Sequence, residues 1–166
     1  MGIDKEIRNM NKVIFVDLDH TLITTISGKK FPIHSKDWKF MPDTVAVLNN
    51  LAPEYRIAII SNQEGITDGF VSEKVFLFKI EEICCKLEKI LKLKKNRIIY
   101  RYCRHKKSYY QKPNPGMILD ILLEEELVLE DSVMIGDSPN DEALAKNAGI
   151  QNYMYVSNLR ALDIKF

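Results

Sequence analysis

The chain has 166 residues, 46% of them hydrophobic and 28% charged, and its formal net charge is +1 at pH 7. This length and apolar content predict a single domain over residues 1–166 that folds without disulfide or metal staples. Three cysteines cannot all pair, and two of them are adjacent, so we expect a reduced, intracellular protein of the nucleus or the cytoplasm, depending on the host. No apolar run approaches the roughly 18 residues of a membrane span, and the start lacks a signal-peptide pattern, so a soluble protein is expected. Nothing indicates oligomerisation, which makes a monomer the expected state.

The near-neutral net charge hides an uneven distribution. Residues 92–112 contain nine lysines or arginines and no acid, whereas residues 120–142 are strongly acidic. A basic face and an acidic face are therefore expected on one molecule.

Strand and helix patterns alternate along the chain. The short, nearly continuous apolar runs typical of buried parallel strands lie at residues 12–16, 56–60, 97–102, 132–135 and 151–156. Helical patterns lie at residues 43–51, 72–93, 116–125 and 140–148, with Asp43 and Ser72 as expected N-caps and Gly149 just past a helix end. In the longest helix an apolar stripe is predicted to face the core, formed by Phe76, Ile80, Ile83, Leu87 and Ile90.

This order of elements predicts an α/β fold, a doubly wound, Rossmann-like parallel sheet of about five strands flanked by helices. Ligands of such folds bind beyond the carboxyl ends of the strands. Residues 22–40, after the first strand, leave room for a small flap and for no large cap domain. An open site is therefore expected at this edge of the sheet.

Polar motifs stand where the predicted strands end or a helix begins. Asp17 and Asp19 follow the first strand and share a face, because residues two apart on an extended segment point the same way. The other three motifs are Ser61-Asn62-Gln63, Lys112-Pro113 and the segment from Gly136 to Asp141. In this order the four motifs resemble those of the haloacid dehalogenase superfamily of phosphotransferases, and the likeness spans essentially the whole chain.

The resemblance implies a mechanism. Asp17 is the implied nucleophile, which forms an aspartyl phosphate, and Asp19 is the implied acid and then base. Lys112 is implied to offset transition-state charge, and Ser61 and the Asn62 amide to bind phosphoryl oxygens. The implied Mg²⁺ ligands are the Asp17 carboxylate, the Asp19 carbonyl, Asp137 and Asp141. Thr21 is expected to fix the turn and the nucleophile beside the substrate, while Asp141 can alternatively serve only as a helix cap.

The segment after the first motif narrows the resemblance. Its residues Thr21 to Thr25, Ser27-Gly28-Lys29, Phe31-Pro32 and Asp37-Trp38 are similar to those of polynucleotide 3'-phosphatases. This likeness implies an enzyme of DNA repair that removes 3'-phosphates from strand ends, with DNA favoured over RNA. The chain has no P-loop motif, so a 5'-kinase activity is not expected.

Basic and aromatic residues support a nucleic-acid partner. Arg104 and Lys107 are expected to bind the phosphate backbone, and interleaved tyrosines such as Tyr100 and Tyr102 could stack on bases. The alternative is that these tyrosines face the core and the charges are merely solvated. Trp38 likewise is either an anchor of the flap or a base platform.

Two other functions stay open. One is a small-metabolite phosphatase of the histidinol-phosphate or heptose-bisphosphate type, which shares the capless layout and the stretch from Lys112 to Met117. Such relatives carry a zinc loop just before this stretch, whereas this chain keeps only Cys103 and His105 there. The other is an inactive module that binds nucleic-acid ends, indicated by His20 where the superfamily generally has glycine. If that position needs a positive φ, His20 carries backbone strain.

Overall fold

The computed structural model describes residues 11–161 and contains a five-stranded parallel sheet. The strands of this sheet are β1 (Lys12–Val16), β4 (Tyr55–Asn62), β5 (Ile98–Cys103), β6 (Val133–Gly136) and β7 (Asn152–Tyr155), and their order is β5-β4-β1-β6-β7. A short antiparallel pair, β2 (Ile23–Thr24) and β3 (Lys39–Phe40), lies outside it. The helices are α1 (Pro42–Leu51), α2 (Glu64–Thr67), α3 (Glu73–Ile90), α4 (Gly116–Glu124) and α5 (Pro139–Ala148), and a 3-10 turn spans Val156–Ala161.

The sheet is covered on both faces, which is why its central strands are apolar without alternation. Ile14 and Val16 of β1 point into a core shared with α1 and α3, while Val13 and Phe15 point into a second core shared with α4 and α5. All four side chains are fully buried. The predicted doubly wound α/β sheet is therefore confirmed.

Several predicted boundaries need correction. Helix α1 begins one residue earlier than predicted, with Met41 at its N-cap, so Asp43 lies in the first turn and is not the cap. Ser72 does occupy the N-cap of α3, without a side-chain cap hydrogen bond. Helix α3 ends at Ile90, which is 48% exposed, so the predicted apolar stripe ends one turn earlier, at Leu87. Gly149 has a φ of 85° past the end of α5, as predicted.

The flap predicted for residues 22–40 consists of β2, β3 and the loop 25–38 between them. Trp38 packs its ring edge against Phe40 and is only 9% exposed, so it anchors the flap to the core and offers no free face to a base. No cap domain is inserted within residues 11–161. None of the helices in this range is long and apolar enough to cross a membrane. The predicted single domain also includes residues outside this range and stays a prediction, as does the monomer.

Candidate active site

Asp17 lies at the carboxyl end of β1, beside the point where the strand order of the sheet reverses. Its backbone N–H donates to the carbonyl of Ile135 at 3.0 Å, which continues the pairing of β1 with β6 by one residue. The chain then turns sharply, because the carbonyl of Leu18 accepts hydrogen bonds from both Leu22 and Ile23 at 3.0 Å. The sheet edge and this turn fix the Asp17 carboxylate, which is only 7% exposed.

Lys112 reaches the same point from the segment between β5 and α4. Its Nζ lies 2.5 Å from Asp17 Oδ1 and 2.7 Å from Asp141 Oδ1, and its side chain is 6% exposed. The Asn62 side chain holds the Lys112 backbone on both sides, because its Nδ2 donates to the Lys112 carbonyl and its Oδ1 accepts from the Lys112 N–H. The Asn62 side chain thus positions Lys112. This role differs from the predicted contact of the Asn62 amide with phosphoryl oxygens.

Thr21 binds the carboxylates of the site. Its hydroxyl lies 3.0 Å from Asp17 Oδ2 and 3.2 Å from Asp137 Oδ1, and it donates its proton to this pair. The Thr44 hydroxyl donates to the Thr21 carbonyl at 2.7 Å and so ties the turn to α1. Thr21 is fully buried and orients the Asp17 carboxylate, and its predicted contact with substrate stays a prediction.

Asp141 takes part in the start of helix α5 and also belongs to the carboxylate cluster, whereas its predicted role as a magnesium ligand stays a prediction. Its Oδ2 accepts from the Ser138 hydroxyl at 2.8 Å in a capping box at the start of α5, and its Oδ1 accepts from Lys112. Gly136 permits this approach, since a Cβ there would lie 2.4 Å from the Asp141 Cβ and 2.7 Å from its Oδ2. Gly136 is a site residue whose steric role the sequence did not reveal.

The chemistry of the donors fits a magnesium ion. Asp17, Asp137 and Asp141 each place a carboxylate oxygen within 4.8 Å of the others. Hard carboxylate oxygens are the ligands that Mg²⁺ prefers. Three carboxylates beside the one ammonium of Lys112 leave an excess of negative charge that a divalent cation would balance. The predicted magnesium cofactor therefore fits this cluster.

The pKa values reflect this crowding of charge. Burial raises the pKa of Asp17 to about 7, because the Lys112 ammonium only partly offsets the desolvation and the neighbouring Asp141 carboxylate adds to the rise. Burial lowers the pKa of Lys112, but Asp17 and Asp141 outweigh that effect and raise it overall. Lys112 is therefore a fixed cation of the site.

Asp19 projects from the same turn but is not a member of the carboxylate cluster. Its Oδ2 accepts a hydrogen bond from Gln63 Nε2 at 2.8 Å, and the same nitrogen donates to Ser61 Oγ at 2.8 Å. The structure thus joins two predicted site residues, Asp19 and Ser61, through a third. Gln63 is the last residue of the Ser61 motif, and only its position directly after the strand end could have indicated a role for it.

His20 has a φ of 63°, so the positive φ considered for this position is present. The turn requires it, because the His20 N–H donates to the Ile23 carbonyl at 2.7 Å. A hydrogen bond of the His20 ring offsets part of this backbone strain, because its Nε2 lies 3.1 Å from the Lys30 carbonyl in the flap. His20 therefore links the turn to the flap while the acids on either side stay in place.

The basic residues of β5 and of the loop that follows it are largely paired with acids. Arg104 binds Glu73 at 2.6 Å, Lys106 binds Asp68 at 2.9 Å, and Arg101 binds Glu124. Lys107 is exposed, and its backbone N–H donates to Gln111 Oε1. Within residues 11–161, neither of the predicted substrate ligands Arg104 and Lys107 forms a hydrogen bond or an ion pair with the Asp17 cluster.

The aromatic residues of this segment divide into two pairs. Tyr100 and Tyr102 are half-buried against the core, with the Tyr102 ring 4.8 Å from that of Phe76, so the core alternative is correct for them. Tyr109 and Tyr110 stay exposed.

Among residues 11–161 the Asp17, Asp137 and Asp141 group is the one cluster that could hold a metal, so Cys103 and His105 form no zinc site there.

Comparison with known proteins identifies the family to which the chain belongs. The family model described as "Polynucleotide kinase 3 phosphatase" matches residues 12–164. The chain belongs to this family of haloacid dehalogenase superfamily phosphatases. This phosphatase is 30% identical over 148 residues to the D-glycero-beta-D-manno-heptose-1,7-bisphosphate 7-phosphatase of Helicobacter pylori, covering 87% of this chain and 83% of the relative. It is 33% identical to the enzyme of the same name from Pasteurella multocida, with 89% and 82% coverage.

A solved structure supports the fold of this phosphatase. The D,D-heptose 1,7-bisphosphate phosphatase of B. bronchiseptica, complexed with magnesium and phosphate, superposes with a TM-score of 0.68 at 20% identity. The alignment covers 87% of this chain and 78% of that structure. At this identity the likeness establishes the shared Rossmann-like fold.

These findings correct the predicted function. The chain is a phosphoric monoester hydrolase, but the polynucleotide 3'-phosphatase function, with its place in DNA repair, is wrong, because the Helicobacter and Pasteurella relatives at 30% and 33% identity are heptose-bisphosphate phosphatases. The region that matches the family contains the phosphate-binding motifs. It does not identify the molecule that carries the phosphate. Physically, Arg104 is held in an ion pair and Trp38 in the core, so two of the features that indicated nucleic acid have other roles.

Proposed function

We propose that the chain is a magnesium-dependent phosphatase of small sugar phosphates, of the heptose-bisphosphate type. The observation that carries the proposal is the buried Asp17, held between Lys112 and Thr21 in a phosphatase whose relatives act on heptose bisphosphate. Two residues that a nucleic-acid surface would use have other contacts: Trp38 is packed in the core and Arg104 is paired with Glu73.

The first half of the reaction transfers the phosphoryl group to the enzyme. A carboxylate oxygen of Asp17 attacks phosphorus in line, and the bond from phosphorus to the sugar oxygen breaks. Asp19 gives its proton to that sugar oxygen, which leaves as a hydroxyl. Lys112 offsets the negative charge that spreads over the phosphoryl oxygens, and the Ser61 hydroxyl donates to one of them.

The second half returns the enzyme to its starting state. Asp19, now a carboxylate, takes a proton from a water molecule that attacks the phosphorus of the aspartyl phosphate. The bond from phosphorus to the Asp17 oxygen breaks, and inorganic phosphate leaves. Thr21 keeps the Asp17 carboxylate in one orientation through both steps.

Asp17, Asp137 and Asp141 would hold Mg²⁺ through their carboxylates, with the Asp19 carbonyl as a further ligand. When bound, the ion allows an anionic phosphate to approach an anionic nucleophile and neutralises developing charge.

A substrate comparison tests the proposal. Phosphate release is measured at equal concentrations of heptose 1,7-bisphosphate, fructose 1,6-bisphosphate, histidinol phosphate and a 3'-phosphorylated oligonucleotide, with Mg²⁺ or with EDTA. We expect kcat/KM for a sugar bisphosphate to exceed that for the oligonucleotide by at least about tenfold. EDTA and Asp17→Asn should each abolish release while the variant stays folded. Equal rates for Asp17→Asn and wild type, or a preference for the oligonucleotide, would contradict the proposal.

A further inference from the structure

Gln63 connects the acid of the site with its phosphate-binding hydroxyl. Its Nε2 lies 2.8 Å from Asp19 Oδ2 and 2.8 Å from Ser61 Oγ. A primary amide nitrogen carries two hydrogens, so these two acceptors use its full donor capacity. The opposite orientation of the amide would place its oxygen against the Asp19 carboxylate, and the resulting repulsion excludes it.

The backbone of Gln63 is fixed where its side chain begins. Gln63 directly follows β4, and its N–H donates to the carbonyl of Cys103 at 2.7 Å, which continues the pairing of β4 with β5. The residue also caps the short helix α2. The amide therefore reaches Asp19 from a rigid part of the sheet, although Asp19 itself lies on a turn.

The two hydrogen bonds have different consequences. With Oδ2 of Asp19 occupied by the amide, Oδ1 is the oxygen left to carry a proton to a leaving group. The Ser61 oxygen accepts from Gln63, so its own proton points away from that amide. The Asn62 carbonyl lies 3.5 Å from the Ser61 oxygen, a weak acceptor that a phosphoryl oxygen can replace.

We propose that Gln63 is a positioning residue for proton transfer to the leaving group, acting through Asp19. The inference rests on the proposed phosphatase function and adds a residue to it. No atom of Gln63 is transferred in the reaction: Asp19 supplies the proton, and Gln63 holds the carboxyl group that carries it. Removing the amide should therefore slow the hydrolysis of esters whose leaving group needs a proton. The hydrolysis of esters whose leaving group needs none should change little.

The test compares two esters of similar shape, phenyl phosphate and p-nitrophenyl phosphate. Phenolate is strongly basic and leaves poorly without a proton, whereas nitrophenolate is a stable anion. In Gln63→Met, which keeps the chain length and removes both donors, we expect kcat/KM for phenyl phosphate to fall about 100-fold and that for p-nitrophenyl phosphate less than about fivefold. Retained p-nitrophenyl phosphate hydrolysis shows in the same sample that the variant is folded.

Two further variants separate positioning from structural support. In an Asp19→Asn background, Gln63→Met should cause no further loss on phenyl phosphate, because the residue through which it acts is gone. Gln111→Met removes another hydrogen-bonded glutamine, one that binds Glu64, and should change both esters by the same factor.

The outcomes distinguish this inference from the proposed function. Equal losses on both esters in Gln63→Met, or a full additional loss in the Asp19→Asn background, would overturn the positioning role and leave the phosphatase function intact. If the wild-type protein with Mg²⁺ releases phosphate neither from the sugar bisphosphates nor from these esters, the proposed function fails and this inference fails with it.

Discussion

Two buried aspartates, Asp17 at the end of β1 and Asp37 in the flap, have opposite properties. They are 7% and 2% exposed, yet the pKa of Asp17 is raised to about 7 and that of Asp37 is lowered to about 2. The Ser27 hydroxyl and the N–H groups of Ser27 and Ile33 all donate to Asp37, so its negative charge is stabilised. Burial alone therefore does not distinguish a catalytic carboxylate from a structural one.

The difference lies in the neighbouring charges. Asp17 shares its surroundings with Asp141 and Asp137, and the Lys112 ammonium binds only Asp17 and Asp141 of these three carboxylates. Asp37 binds hydrogen-bond donors of its own loop and completes its interactions within the flap. An unbalanced cluster of charges is arranged to accept a ligand, whereas a satisfied aspartate holds a loop.

The largest effect should follow loss of the cation at the first aspartate. Lys112→Met leaves Asp17 and Asp141 buried without an ammonium, so we expect kcat/KM to fall about 10³-fold and the metal-free protein to lose about 3 kcal/mol of unfolding free energy. Saturating Mg²⁺ should restore part of that stability, because it binds the same carboxylates. Sugar phosphate hydrolysis and urea unfolding with and without Mg²⁺ measure both effects.

Lys146→Met is the matched control, since Lys146 pairs with Glu142 on the surface and is 75% exposed. It should leave activity and the magnesium dependence of stability unchanged. A Lys112→Met protein as stable as the control would mean that the charges at Asp17 are balanced without the lysine.

A smaller effect is expected when the carboxylate cluster is displaced without losing a charge. In Gly136→Ala the new Cβ would lie 2.4 Å from the Asp141 Cβ, so the start of α5 must shift. We expect about 2 kcal/mol of destabilisation and a loss of activity of about 10²-fold, with weaker Mg²⁺ binding. Calorimetric titration with Mg²⁺ and steady-state kinetics provide the readouts.

Gly65→Ala is the control for Gly136→Ala, because a Cβ at Gly65 meets only ordinary contacts at 3.9 Å and beyond. It should retain magnesium binding and activity. Unchanged Mg²⁺ affinity in Gly136→Ala would show that Asp141 is not positioned by the close approach of β6 and α5.

Substitution of Asp37 should lower the stability of the protein more than its catalytic activity. Because the pKa of Asp37 falls from its usual 3.8 to about 2 on folding, its charged form contributes stability above about pH 4, and that contribution is lost as the pH falls towards 2. In Asp37→Asn the new amide accepts hydrogen bonds through only one oxygen, so the variant should be less stable than wild type at pH 7. The unfolding free energies of the two proteins should converge near pH 2. We expect activity to fall by at most about tenfold.

Asp131→Asn is the reference for this pH series, since Asp131 pairs with Lys12 and its side chain is 65% exposed. It should follow the wild-type curve across the whole range. A constant difference in unfolding free energy between Asp37→Asn and wild type from pH 5 to pH 2 would contradict the role of the charged carboxylate in the flap.

The sheet and most of the site could be predicted because they depend on local patterns. The apolar run before Asp17 and the Ser61, Lys112 and Asp137 motifs each mark a strand end or a helix start, and parallel strands bring such ends together. The resemblance of these motifs to those of the haloacid dehalogenase superfamily also implied phosphate transfer.

The remaining features depend on contacts between distant residues. The role of Gln63 depends on where Asp19 turns, and that of Gly136 on how close α5 comes to β6. The substrate was predicted wrongly because a run of basic residues does not reveal its partners. Arg104 and Lys106 are separated in the chain from the Glu73 and Asp68 that neutralise them by more than thirty residues.

The smallest effect should follow loss of one of these surface pairs. Arg104 and Glu73 are 41% and 36% exposed, so Arg104→Met should cost at most about 1 kcal/mol of unfolding free energy. Because the arginine is already bound to an acid, we expect kcat/KM for a sugar bisphosphate to change less than about threefold. Glu73→Gln releases the arginine and gives the reciprocal test, in which the same small change is expected. A tenfold loss in Arg104→Met that Glu73→Gln does not share would instead place Arg104 against the substrate, and the contrast between the unbalanced charges around Asp17 and charges satisfied by their own partners would then fail at this residue.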